Sequence, residues 1–354
     1  MKKQMLLIII ALCGIVANAQ VSQTVNVTTA GTLSTLASSY LETVTNLTVT
    51  GSIDQRDITT MRDAMPKLAV LNLSSASIKA YSTYLANEMP SYSFYKPGDG
   101  AKTTLTTINF PSSLTSIGTF AFDGCSGIVG TLSLPTTIKT IAEGAFYNCS
   151  GISGTLTFPN ALITIGEGAF YNCSGISGTL NLPASLTTLS AYAFNGCTGI
   201  ATLAIPASLT SISDHAFAYC TSISVIYCLK STPPTLVANC FYNTTFVTDV
   251  FVPTDAAVTA YKATTWYDDF SGTIIKKGTF SAVKDLNYNK INAYASVNGI
   301  NVNGVGIGES ITLYTVNGLK LHTIKSEGKQ IFFSVQSKGI YLLKCAQETL
   351  KVVF

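Results

Sequence analysis

The sequence predicts a mainly β fold: a solenoid of coils about 23–24 residues long, with a helical N-terminal cap and a small β-sandwich at its C-terminal end. Three observations carry that expectation. Phe122, Phe146, Phe170, Phe194 and Phe217 recur at intervals of 24, 24, 24 and 23 residues, each after an alanine and each three residues before a cysteine. Residues 144–156 and 168–180 repeat the same thirteen letters, GAFYNCSGISGTL. Beyond the repeats, ITLYTVNGLKLHTI places Asn317-Gly318 between two alternating runs, a hairpin signal because both turn residues tolerate positive φ.

Each unit is too small to bury its own apolar side, so identical positions of stacked coils must become neighbours, Phe on Phe and Cys on Cys. Within TLSLP, TLTFP and TLNLP the alternation turns Leu or Phe inward and Thr, Ser or Asn outward. Proline then ends the strand because it cannot donate to a ladder. The units starting at Ile128, Ile152 and Ile176 carry one extra residue, and fainter copies run through 68–73 and around Leu47. Roughly eight or nine coils spaced about 4.8 Å apart make a rod near 40 Å long.

The full unit reads Leu-x-x-(Leu/Ile)-x-(Leu/Ile/Phe)-Pro, then a step such as LTSIG, then AFxxC. It resembles the BspA-like leucine-rich repeats of bacterial surface proteins, over residues about 45–270. The resemblance implies a solenoid of the leucine-rich-repeat type, display at a surface, and an adhesin-like role without catalysis.

The ends divide the chain. Residues 1–19 read as a secretory signal, with Lys2 and Lys3, an apolar run from Met5 to Val16 and a small-x-small site at Ala17-Asn18-Ala19. Residues 20–104 hold the cap and irregular first repeats. Within 28–66, AGTLSTLASSYLETV has helical spacing, Asp54 or Asp57 stands near a helix start, and Pro66 stops it. Residues 84–104 break the rhythm: SYSF fills the Ala-Phe slot without its cysteine, and KPGDGAK reads as an exposed loop. The repeats proper occupy 105–275 and finish in a capping unit, where Thr254 or Asp255 caps a short helix, Tyr261 is buried and Trp266 closes the core. A linker is expected over 276–294 and the β-sandwich over 295–354. VNGLKL, KGIYLLK and TLKVVF resemble the C-terminal sorting domain of type IX secretion substrates. That resemblance implies a partner in the outer-membrane secretion machinery and a place outside a Gram-negative bacterium, secreted or on its outer surface.

Charged residues are 11% of the chain, and loss of the two signal lysines takes the net charge of +3 to about +1, so nothing points to nucleic acid or anionic lipid. No later stretch is long and apolar enough to span a membrane. Of nine cysteines one, Cys13, falls in the signal. Cys125, Cys149, Cys173, Cys197 and Cys220 share one ladder whose spacing exceeds the roughly 3.5–4.5 Å between disulfide-bonded Cβ atoms, so they read as buried free thiols. Cys228 falls in an inward slot, Cys240 in an alanine slot, and Cys345 lies alone. Neither a metal site nor a cofactor is expected, for no Cys-x-x-Cys occurs and His215 and His322 lack company.

Glu143 and Glu167 hold equivalent positions and could approach as a glycosidase pair would, but they flank turn glycines where no aromatic-rich cleft is expected. The favoured ligand surface is instead the outward strand face, Thr131, Ser133, Thr155, Thr157, Thr179, Asn181 and Tyr227, which is hydroxyl-rich and uncharged. Tyr147, Tyr171 and the loop Tyr92 to Lys102 are further contact candidates. The expected function is non-enzymatic binding of host or neighbouring-cell proteins or glycans, against a surface glycoside hydrolase using Glu143 and Glu167 or a structural surface-layer protein.

Overall fold

The protein is described by a computed structural model that covers residues 20–266 except 238, 245 and 246, then 274–278, 292–296, 299–303, 310–315, 319–325, 331–335, 340–345 and 348–353. The expected signal, residues 1–19, the Asn317-Gly318 turn and the side chain of Cys345 lie outside these. The chain winds into a β-solenoid of about ten turns. One more coil precedes the faint copy around Leu47. Strand Ser22–Val27 pairs in parallel with Asn46–Ile53, Ser22 against Asn46, and the latter pairs with Val70–Asn72, Asn46 against Val70. These two coils are faint or absent in the repeat because helices replace the Ala-Phe-x-x-Cys turn. Helix Leu33–Leu36 is a single turn, far shorter than the expected span, whereas Gln55–Asp63 is a full helix. Asp54 caps it, and Asp57 completes the capping box by accepting from the Asp54 N–H at 2.9 Å. The Asp57 carboxylate also accepts from the backbone N–H groups of Gly31 at 2.6 Å and Leu33 at 2.9 Å, so one buried anion joins both cap coils.

One apolar cluster runs from Val25 to Ile275. Its spine is a stack of phenylalanines longer than the repeat showed: Phe94, Phe122, Phe146, Phe170, Phe194, Phe217 and Phe241, with centroids 5.3–5.6 Å apart. Such pairs contribute about 0.5–1.5 kcal/mol each beyond their burial. Beside it the thiols of Cys149, Cys173, Cys197 and Cys220 donate to the carbonyls of Phe122, Phe146, Phe170 and Phe194 at 3.0–3.1 Å. Each of these cysteines reaches back one coil. The last coil carries Thr244 in the cysteine position, and its hydroxyl donates to the Phe217 carbonyl at 2.8 Å. The first has neither; there Lys102, expected in an exposed loop, is buried, and its ammonium donates to the Arg62 and Met65 carbonyls at the end of the cap helix at 3.2 and 2.6 Å.

The strand ladder is interrupted. Parallel pairing joins 22–27, 46–53, 70–72 and 107–109, and separately 177–181, 199–205, 225–228, 249–252 and 274–277. Residues 131–134 and 155–158, between the two sheets, form no regular strand, and only the bridges Gly130 to Ile152 and Gly154 to Ile176 survive. The extra residue explains this. Gly130, Gly154 and Gly178 all have positive φ, and the register of 177–181 on 199–205 shifts between Gly178 and Thr179. The insertion is a β-bulge, admitted by glycine in a left-handed conformation.

At the far end helix Asp255–Lys262 is capped by the Thr254 hydroxyl, which accepts from the Ala257 N–H. Tyr261 and Trp266 are fully buried, and the Trp266 indole donates to the Pro234 carbonyl at 2.9 Å. Strand Ile274–Lys277 adds a last rung to the sheet. In the C-terminal sandwich a three-stranded sheet of 292–296, 299–303 and 331–334 accompanies a four-stranded sheet of 310–315, 320–325, 340–345 and 348–353. Its core is Ile300, Val302, Ile311, Leu313, Ile331, Phe333, Tyr341 and Leu343.

Candidate functional site

The expected strand face is only partly as drawn. Thr131, Ser133, Thr155 and Thr157 are exposed, but they sit on the irregular coils between the sheets. Thr179, Asn181 and Tyr227 lie on the paired strands and are half-buried. Tyr227 stacks on Phe251 with centroids 5.0 Å apart, and Ala204 beside it in register is buried. A hydroxyl-rich wall therefore exists over two coils, not a continuous flat face.

A more concave feature lies on the turn that carries the phenylalanine spine. The residue two places before the stacked phenylalanine takes positive φ in coil after coil: Tyr92, Phe120, Gly144, Gly168, Tyr192 and His215 all fall between 50° and 59°. Bulky side chains seldom adopt that conformation. Where they do so here they stack, Tyr92 on Phe120 at 5.9 Å and Tyr192 on His215 at 5.1 Å. Gly144 and Gly168 leave two rungs of this aromatic row without a side chain. The gap is a shallow cavity of about 300 Å³ lined by Phe120, Glu143, Tyr147, Glu167, Tyr171 and Tyr192. Along one side Tyr147 and Tyr171 stack nearly parallel, centroids 4.4 Å apart. The Gly144 N–H donates to the Glu167 carbonyl at 2.8 Å, which fixes the two glutamates on adjacent coils.

This corrects the expectation that Glu143 and Glu167 have no aromatic surroundings. Both glutamates are exposed, and neither forms an ion pair among the described residues. The signal was present in the sequence as the identity of one slot, Tyr, Phe, Gly, Gly, Tyr, His, but a stack across coils shows only once the left-handed turn aligns them.

The remaining candidates are structural. His215 Nδ1 lies 2.8 Å from Asp214 Oδ1, a pair between chain neighbours. Cys228 is buried opposite Ile205 in register, and Tyr261 beside it donates its hydroxyl to the Lys230 carbonyl at 3.0 Å. Burial pushes the ladder thiols up, Cys125 and Cys173 to about 12. Such thiols are poor nucleophiles and poor metal ligands. No three His, Cys, Asp or Glu side chains gather as a metal would require among the described residues, and there no helix is long and apolar enough to cross a membrane.

A comparison with curated proteins gives no match. Among solved structures, a leucine-rich repeat protein of T. pallidum is 27% identical over 42% of this chain and 66% of its own, with a TM-score of 0.37. This chain thus spans just under two thirds of that protein. A leucine-rich cell surface protein of Faecalibacterium prausnitzii is 15% identical over 67% of this chain and 85% of its own, TM-score 0.32. A leucine-rich repeat protein of Bacteroides ovatus is 18% identical over 67% and 84%, TM-score 0.23. The BspA type leucine-rich repeat region matches at residues 87–177 and 152–269, six copies that together span more than half of the chain. With its stacked phenylalanines, carbonyl-bound thiols and proline-ended strands, the chain belongs to the BspA-type leucine-rich repeat family.

Proposed function

We propose that this protein is a non-enzymatic, adhesin-like binding protein of the bacterial exterior, which holds protein or glycan ligands on the outer wall of its solenoid. The observation that carries the reading is the exposure of Thr131, Ser133, Thr155 and Thr157 together on adjacent coils, an uncharged polar wall beside an apolar core that takes the inward side chains. Solenoids offer extended surfaces of this kind to macromolecules. The test is binding of the whole mature chain to glycan and extracellular-matrix arrays, with Thr155→Lys and Thr179→Lys as the comparison. Hits lost on substitution support the wall as the contact. Hits unchanged by it, or polysaccharide turnover abolished by Glu143→Gln with Glu167→Gln, overturn the proposal.

The same reading makes residues 295–354 the export module, engaging the outer-membrane secretion machinery and leaving the solenoid secreted or displayed on a Gram-negative surface. Its support is a separate core of eight residues among seven strands, counted among the described residues, independent of the solenoid cluster.

A further inference from the structure

The gap over Gly144 and Gly168 is an unfilled version of an arrangement the chain completes twice elsewhere. Arg56 lies 2.7 Å from the Asp54 carboxylate, with its guanidinium carbon 4.4 Å from the centroid of the Tyr81 ring. Lys276 lies 2.6 Å from Asp249 and 4.8 Å from the centroid of Phe251. In both, a carboxylate and an aromatic face share one cation. At the gap Glu143 and Glu167 line the cavity together with Phe120, Tyr147, Tyr171 and Tyr192, and no lysine, arginine or histidine is among the lining residues.

We infer that this notch is a receptor for an arginine side chain of a partner protein. Charge selects the sign: two carboxylates with no basic neighbour favour a cation. Shape selects the group. A planar guanidinium stacks on aromatic faces and can bond a carboxylate through two parallel N–H groups, which an ammonium cannot do. The notch volume of about 300 Å³ suits a single side chain. Tyr192 stacks on His215 through one face, which fixes it as one end of the slot, and Phe120, resting on Gly144, makes the other. Two glycines are required for different reasons: a Cβ at Gly144 would run into the Phe120 ring that closes the slot, and a side chain at Gly168 would project where the ligand must lie. These residues are not those of the threonine wall, so a failed array test at the wall leaves this inference standing, and the reverse.

The experiment uses the whole mature chain and two probes, a tripeptide Gly-Arg-Gly blocked at both ends and its citrulline counterpart, which keeps the plane and loses the charge. Saturation-transfer NMR reads contact with the probe's side-chain protons. We expect transfer to the arginine probe, at least about tenfold weaker binding of the citrulline probe, and a fall with added salt. Two variants report on the site. Glu143→Gln with Glu167→Gln keeps the rings and removes the charge. Gly168→Asn fills the slot with the residue that Asn239 supplies at positive φ in a later coil, and a Cβ there meets nothing nearer than Tyr147 at 3.4 Å. Both should abolish transfer. Equal signals from the two probes, or an arginine signal that survives the glutamine pair, would overturn the inference even if the asparagine variant does not fold. Transfer to a neutral hexasaccharide but not to arginine would assign the notch to glycan and overturn it too.

Discussion

A thiol that donates to a buried carbonyl must stay protonated to do so, and this ties five side chains, with the buried Cys228 thiol as a sixth that makes no such bond, to the pH of the medium. Burial raises Cys125 and Cys173 to about 12, and Cys149, Cys197, Cys220 and Cys228 in the same direction. In the unfolded chain a cysteine ionises near 8.5. Above that pH the unfolded state gives up protons that the folded state keeps, so the stabilisation is complete below about 8.5 and is lost as pH climbs towards 12. Each thiol removes about 1.4 kcal/mol per pH unit inside that window. Thermal unfolding followed between pH 7.5 and 10.5 should therefore show a steep fall in Tm. Cys173→Thr should make the fall shallower while costing less than about 1 kcal/mol at pH 7, since a hydroxyl makes the same bond at Thr244. Cys173→Ala should cost about 1–2 kcal/mol at pH 7. An unchanged slope in either variant would refute the assignment. Burial of these cysteines was legible from their spacing; the bond was not, because periodicity fixes which way a side chain points and says nothing of what its terminal atom meets. Thr244 was hidden for the same reason, although it keeps the interval of three from Phe241.

Among the elements, the caps and the bulged coils taught most. Asp57 closes the capping box and accepts from Gly31 and Leu33, so Asp57→Ala leaves three backbone N–H groups, two of them buried, without their anion. The expected loss is about 2–4 kcal/mol in chemical denaturation, larger than a lone surface cap, with the first coils released before the rest. Loss of less than about 1 kcal/mol would mean water replaces the carboxylate. The Asp54-Asp57 start was readable because caps depend on local sequence. The coil at Asn46–Ile53 showed only as a faint copy around Leu47, and the coil at Ser22–Val27 was not readable, since it shares only hydrophobic alternation with the rest. The bulge at Gly130, Gly154 and Gly178 was equally opaque. One added residue leaves the alternation on either side intact and disturbs only bonds between strands, so Thr131 and Thr155 were placed on a ladder they do not join.

On the scale of the molecule, residues 144–167 form one unit that can be excised with the seam Glu143 to Gly168 unchanged in sequence context. The shortened chain should fold cooperatively with a Tm lower by a few degrees, because each coil touches only its neighbours and one interface is lost. Its notch would be one rung wide, and arginine binding should weaken. A collapse of folding would show that the coils are not interchangeable. The solenoid as a whole was legible because repetition advertises itself, while the notch was not, being an interruption in a row that nothing in a single coil defines. The row of sulfhydryls carries a last implication for handling and for life outside the cell. Wound up, the polypeptide hides these groups from oxidants; unwound, it offers all of them at once to any air-exposed solvent. Melting under reductant should then be a two-way passage, and melting without it a one-way exit into crosslinked tangles.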